Sequence, residues 1–313
     1  MHFNSKRAAL HLLIILSLLA TSYIVKIHVY RANAALGIDF KNNPKVLIVG
    51  DSRAANGLNP EHIMSSVNIA QGAEGVEFSY FKIMKAIESN SSIDTVLLAF
   101  SYHNLYDNFI EKGIIQRYHL IVNDQYYYDH FGYQSFSLAY VLRYAQDKLY
   151  IPVGLSNDIV EYAEIRHLGE ELKLPHVGGF NGREGSLQVR KADFLKRFKY
   201  LHQKEGQSMT ISRMKIEYML KLRNICAENK VKLYLVNIPT RKDYYALIPK
   251  ATITSIDSTA YSLTGDYCEY INLSQLNYPD SLYFDCDHLN LSGSMEFSKL
   301  VNKVIRETVS QTD

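Results

Sequence analysis

The sequence predicts an α/β fold built on a parallel sheet, and two observations carry that expectation. Val46 to Val49, Asp94 to Phe100 and Val231 to Pro239 are short apolar runs with no polar face, the pattern of strands buried on both sides. Between Lys45 and Phe100 the pattern alternates strand, helix, strand, helix, strand, which implies right-handed crossovers.

In chain order, polar residues 33–44, with Gly37, Asn42, Asn43 and Pro44, read as a linker, so the folded body starts near Lys45. The strand Val46 to Val49 stops at Gly50-Asp51-Ser52. Gly50 permits a tight exit from the sheet, and Asn56, Gly57 and Pro60 punctuate the segment before the next helix. Glu61 to Ser66 reads as a short helix and Val67 to Ala70 as a second strand. Phe78, Ile83, Met84 and Ile87 recur at helical spacing, which predicts an amphipathic helix over Val76 to Ser89. From 107 to 207 the strand-helix rhythm is lost over a span too long for a loop, so an inserted, mostly helical subdomain is expected over the ligand edge of the sheet. Order returns with a helix from about Ser208 to Asn229, strands at Val231 to Pro239 and Tyr267 to Leu273, and a last helix from about Ser292 to Val309.

Upstream, Ala8 to Val25 is almost unbroken apolar sequence preceded by Lys6 and Arg7. As a helix it would rise roughly 27 Å, close to the hydrocarbon thickness of a bilayer. A signal peptide cleaved near Ala32-Asn33-Ala34 competes with this reading, but Lys26, His28 and Arg31 intervene. The expectation is an uncleaved single-pass anchor within residues 1–32. It leaves the body, 45–313, facing the periplasm or cell exterior. Across 313 residues, Lys+Arg 34 and Asp+Glu 32 are too balanced to imply nucleic acid as a partner. The 24 tyrosines, with no tryptophan, offer flat apolar faces with polar tips that suit sugar rings as well as cores. Cys226, Cys268 and Cys286 lack zinc-ligand spacing, and a Cys268 to Cys286 disulfide is left open.

Ser52 follows the first strand at its carboxyl end, the edge where open α/β sheets bind ligands. Two readings are open there, a helix cap and a nucleophile. Asp285 and His288, three residues apart before the last helix, can lie on one face of a turn. The aspartate then orients the imidazole, whose other nitrogen is free to take a proton from a serine. Asp287, adjacent to His288, is a competing orienter of poorer geometry. A metal site of Asp285, Asp287 and His288 lacks a fourth ligand at recognisable spacing.

Gly50-Asp51-Ser52, Asn68 to Gly72 and Asp285 to His288, in that order, resemble the SGNH/GDSL hydrolase superfamily over Lys45 to Val309, the insert excepted. The resemblance implies a three-layer, flavodoxin-like α/β/α fold with a parallel five-stranded sheet. It also implies a Ser52, His288, Asp285 triad and an oxyanion hole from Ser52, Gly72 and Asn104. The block after the third strand departs from the family: His103 stands where its asparagine is expected, so His103 and Asn104 both remain candidates, as do Gly72 and Gly75. The implied activity needs no cofactor. It is that of an esterase or acyltransferase on O-acetyl groups of a cell-envelope or exported polysaccharide, with polysaccharide-assembly proteins as possible partners. A catalytically weak, anchored polysaccharide-binding protein is the alternative.

Overall fold

The computed structural model describes residues 17, 40, 42–106, 178–204 and 206–309. Five of its strands form one parallel sheet: β1 (Val46–Val49), β2 (Ser66–Asn68), β3 (Thr95–Ala99), β6 (Lys232–Asn237) and β7 (Cys268–Asn272). Their order across the sheet is β2-β1-β3-β6-β7, with Ile48 beside Asn68 on one side and Val49 beside Leu98 on the other. The chain leaves β1 to one side to make β2, then returns past it to make β3. That reversal opens a crevice at the carboxyl ends of β1 and β3.

Both faces of the sheet are covered, which is why its central strands β1, β3 and β6 are mostly apolar. Val46, Ile48, Leu97, Ala99, Tyr234 and Val236 pack with Ala54 and Ala55 of α1 (Ser52–Gly57), with Leu58 just after it, and with Phe297, Val301 and Ile305 of α7 (Leu291–Val309). Their neighbours Leu47, Val49, Val96, Leu98, Leu233 and Leu235 point the other way by the period of a strand and are equally buried. There α2 (Val76–Ser89) and α4 (Arg213–Glu228) pack on each other and on β1 and β6. The result is an α/β/α sandwich. Short elements complete the described residues: α3 (Lys191–His202), the hairpin of β4 (Gln203–Lys204) and β5 (Gln207–Ser208), α5 (Lys242–Tyr245) and α6 (Lys250–Ser262).

Two local features fix the site. Gly50 has φ +130°, and a Cβ there would come within 2.9 Å of Ala99 Cβ, so only glycine lets the exit from β1 lie against the end of β3. At the other end of the chain, Asn290 Oδ1 accepts from Gly293 N at 2.9 Å and starts α7 immediately after the 285–288 loop.

Several expectations are corrected. No helix among the described residues is long and apolar enough to cross a membrane. The transmembrane anchor, the single-pass topology and the periplasmic or extracellular placement are withdrawn on that finding; the segment Ala8 to Val25, Ser17 apart, lies outside the described residues. The α/β/α class stands without that N-terminal helix. Of the helical insert, 107–177 lies outside the described residues. The remainder is an extended stretch over 178–190, α3 and the β4-β5 hairpin. The helix expected at Glu61 to Ser66 is a single 3-10 turn, Pro60–His62, because Ser66 already pairs with Val46 in the sheet. All three cysteines are buried and free, so Cys268 and Cys286 are not bridged.

Candidate active site

Asp51 and Ser52 sit where β1 turns into α1. Asp51 is the N-cap of that helix, with Oδ1 accepting from Arg53 N at 2.9 Å, and Ser52 is its first residue. The cap and the exposed hydroxyl are therefore one motif: the turn that makes the cap aims the serine side chain out of the sheet. Ser52 Oγ lies 2.8 Å from His288 Nε2. His288 Nδ1 lies 2.9 Å from Asp285 Oδ2 and 3.0 Å from Oδ1, and Asp285 Oδ1 also accepts from the backbone N–H of Asp287 and His288 at 3.1 and 3.0 Å. With Nδ1–H donating to Asp285, Nε2 is left to accept from the serine hydroxyl. Burial works to raise the Asp285 carboxyl, but its hydrogen bond to and electrostatic pairing with His288 outweigh burial and hold it below its ordinary value. Ser52, His288 and Asp285 form a catalytic-triad-like arrangement.

Asp287, 2 % exposed, faces the same imidazole at 3.5 Å from Nδ1. Its carboxylate is gripped at both oxygens by Arg197 of α3, with Nε at 2.9 Å from Oδ1 and Nη2 at 2.9 Å from Oδ2. Burial again works upward on its pKa, and electrostatic pairing with His288 and Arg197 drives it far down. Asp285, Asp287 and His288 bring donor atoms within 4.8 Å of one another, close enough to share a cation. Their lone pairs are already taken, though, one carboxylate by the imidazole and the other by a guanidinium, which leaves a poor fit for a metal.

The oxyanion candidates fall in different places. A Cβ on Gly72 would lie 4.0 Å from Ser52 Cβ, so Gly72 borders the serine, whereas Gly75 is the N-cap of α2 and sits against the Glu77 carboxylate. His103 Nε2 and Asn104 Nδ2 both reach Asp51 Oδ2, each at 3.1 Å, and Asn104 Oδ1 accepts from Ser101 N. Burial lowers the His103 pKa more than Asp51 raises it, so the ring is neutral and donates Nε2–H to the carboxylate. For Asp51, burial pushes upward, and the contacts with His103 and Arg53 outweigh it and bring the carboxyl down to about 2. The block after β3 thus locks onto Asp51 across the crevice. Asn104 nonetheless lines the same pocket as Ser52, about 80 Å³ in volume, together with Ala73, Arg197 and Tyr200.

This is the layout of a hydrolase-type active site. No family model matches the chain, and no curated protein matches it. Among solved structures it is similar to the crystal structure of a carbohydrate esterase family 2 enzyme plus carbohydrate binding domain from Corynascus thermopiles (Myceliophthora fergusii). The TM-score is 0.38 and the identity 10%, covering 88% of this chain and 69% of that one. A likeness that remote carries no argument about function. With no matching family model and no membrane-crossing helix among the described residues, the expectation of a membrane-anchored, polysaccharide-modifying SGNH/GDSL protein is corrected, and with it the membrane as a partner.

Sequence reasoning missed Arg197 and the hold of Asp51 on His103 and Asn104, while the cap at Asp51 was one of its two readings. Arg197 lies in a charged, mostly exposed helix that offers no signal, and its partner is 90 residues away. For Asp51 there was a signal: an aspartate directly before a helical serine, two residues ahead of an arginine, is a capping pattern.

Proposed function

We propose that the chain is a serine-dependent acyl-ester hydrolase or acyltransferase for small acyl groups such as O-acetyl. The observation that carries the reading is the unbroken line from Ser52 Oγ through His288 Nε2 and Nδ1 to the Asp285 carboxylate. As Ser52 Oγ bonds to the acyl carbon, its proton passes to Nε2, and Asp285 stabilises the imidazolium. Collapse of the tetrahedral species breaks the bond to the alcohol oxygen, which takes the proton from Nε2. The acyl-serine is then attacked by water, or by an acceptor hydroxyl, whose proton goes to Nε2 and on to Ser52 Oγ as it leaves. Donors for the oxyanion are the Ser52 and Gly72 backbone N–H groups and the N–H of Asn104 not spent on Asp51. The volume of about 80 Å³ beside Ser52, well below the roughly 300–1,000 Å³ of drug-sized sites, favours acetyl over long acyl chains.

Turnover of p-nitrophenyl acetate, p-nitrophenyl octanoate and an acetylated oligosaccharide tests this. Acetate release is expected from the wild type and not from Ser52→Ala, with octanoate at least tenfold poorer. No Ser52-dependent hydrolysis, and no labelling of Ser52 by a fluorophosphonate in folded protein, would sink the enzyme reading. It would leave a binding protein in its place. The engagement of both His103 and Asn104 by Asp51 is what favours that second reading.

A further inference from the structure

We propose that Arg197 is a positioning residue of the candidate active site: by pairing with Asp287 it cancels the second carboxylate beside His288, so that the imidazole answers to Asp285 alone. The inference rests on the hydrolase reading above. Two carboxylates stand against one ring nitrogen, at 2.9 Å for Asp285 and 3.5 Å for Asp287. A triad requires one, to hold the proton on Nδ1 and stabilise the imidazolium as it forms. A second uncompensated anion would favour the imidazolium in the resting state, when Nε2 must be bare to accept the serine proton. Asp287 is buried and ionised, so its charge reaches the ring almost unscreened unless a cation is fixed on it. Arg197 supplies that cation in a fork of three short hydrogen bonds, from Nε to both oxygens and from Nη2 to one.

The position of Arg197 also ties the balance to the pocket. Its α3 helix borders the cavity beside Ser52, and the guanidinium lies 5.8 Å from the ring of Tyr200. The other charged or titratable groups around this cluster are Asp51 and Arg53 from the β1-α1 turn, His103 from the block after β3, Asp193 and His202 of α3, Tyr244 of α5, and Cys286, whose thiol burial pushes up to about 12 and keeps neutral. Asp51 and His103 satisfy each other. Arg53 donates to Ser101 Oγ and the Ile238 carbonyl and keeps its charge, which pulls on Asp287 less than Arg197 does, and burial pushes His202 down to about 3 and Tyr244 well up, so both are neutral. Arg197 is the cation hydrogen-bonded to Asp287 among the described residues.

The test is the pH dependence of kcat/KM for acetate-ester hydrolysis in the wild type and three variants. Arg197→Gln is expected to move the acid limb upward by about one pH unit, because Asp287 is left to hold a proton on the ring. Below the limb that is close to a tenfold loss, recovered on the plateau above it. Asp287→Asn moves the limb the opposite way, and the double variant Arg197→Gln with Asp287→Asn returns it to the wild-type position. A merely structural role for Arg197 would lower activity at every pH and leave the limb where it is. Ser52-dependent turnover with an unmoved limb in Arg197→Gln, or a double variant that keeps the shift, would overturn the positioning role and spare the hydrolase reading. No Ser52-dependent turnover in the wild type overturns both.

Discussion

Asp285 does two jobs, and they separate under substitution. Its carboxylate holds the backbone of the loop through the N–H groups of Asp287 and His288, and it holds the imidazole through Nδ1. Asp285→Asn keeps an acceptor for the backbone but can present its amide to Nδ1, which then carries no proton, leaving the proton on Nε2 facing Ser52. Hydrolysis is expected to fall on the order of 10³ to 10⁴-fold, with a modest drop in thermal midpoint from the lost carboxylate charge, checked by steady-state kinetics beside a melting curve. Ser52, His288 and Asp285 were legible because the Asp-x-x-His spacing and the strand-end serine are local. Arg197 was not, since an ion pair across 90 residues leaves no trace in the spacing of either partner. His103 and Asn104 were read as alternative oxyanion donors, and their shared hold on Asp51, about 50 residues away, was set by the sheet rather than by any neighbour in sequence.

At the level of elements, the turn after β1 is the most constrained. Gly50→Ala would put a methyl group 2.9 Å from Ala99 Cβ on a backbone at φ +130°. A loss of about 1–3 kcal/mol is expected from urea denaturation. Activity should fall further than stability, since the strain is relieved by displacing Ser52. α2 was legible to the residue because its apolar positions recur at helical spacing and Asn90 ends it. α6 went unread for the opposite reason: Thr252, Ile253, Thr254, Ile256 and Thr259 are β-branched and read poorly as helix. There, packing of Ile256 and Ala260 into the core overrides local preference. The strand β2 is only three residues long, and its end at Asn68 is set by that side chain, which turns in to donate to the carbonyls of Ala54 and Leu58 instead of continuing the strand.

Over the whole molecule, stability is tied to carboxylates kept ionised in low-dielectric surroundings. Asp51, Asp285 and Asp287 all have folded pKa values below their ordinary ones, so each stabilises the fold above the usual carboxylate range and loses that contribution as pH falls through its folded value. For Asp51, lowered from 3.8 to about 2, the contribution is on the order of 2 kcal/mol, present above about pH 4 and gone below about pH 2. The urea midpoint of the wild type is expected to drop between pH 5 and pH 2.5, and that of Asp51→Asn to drop less from a lower start. A parallel sheet was legible from buried strands alternating with helices. The order β2-β1-β3-β6-β7 is the flavodoxin-like one that the resemblance implied, whereas the run of strands and helices alone did not give it, because each crossover can lead to either side until the helices pack. Its consequence reaches back to synthesis. Ser52 and His288 meet across 236 positions of sequence. While the chain is being made, the serine emerges early but stays chemically ordinary until the 285–288 loop has left the ribosome and reached the end of β1. Maturation of this site is thus timed by chain length, and a nascent fragment that stops short of the 285–288 loop carries a harmless hydroxyl.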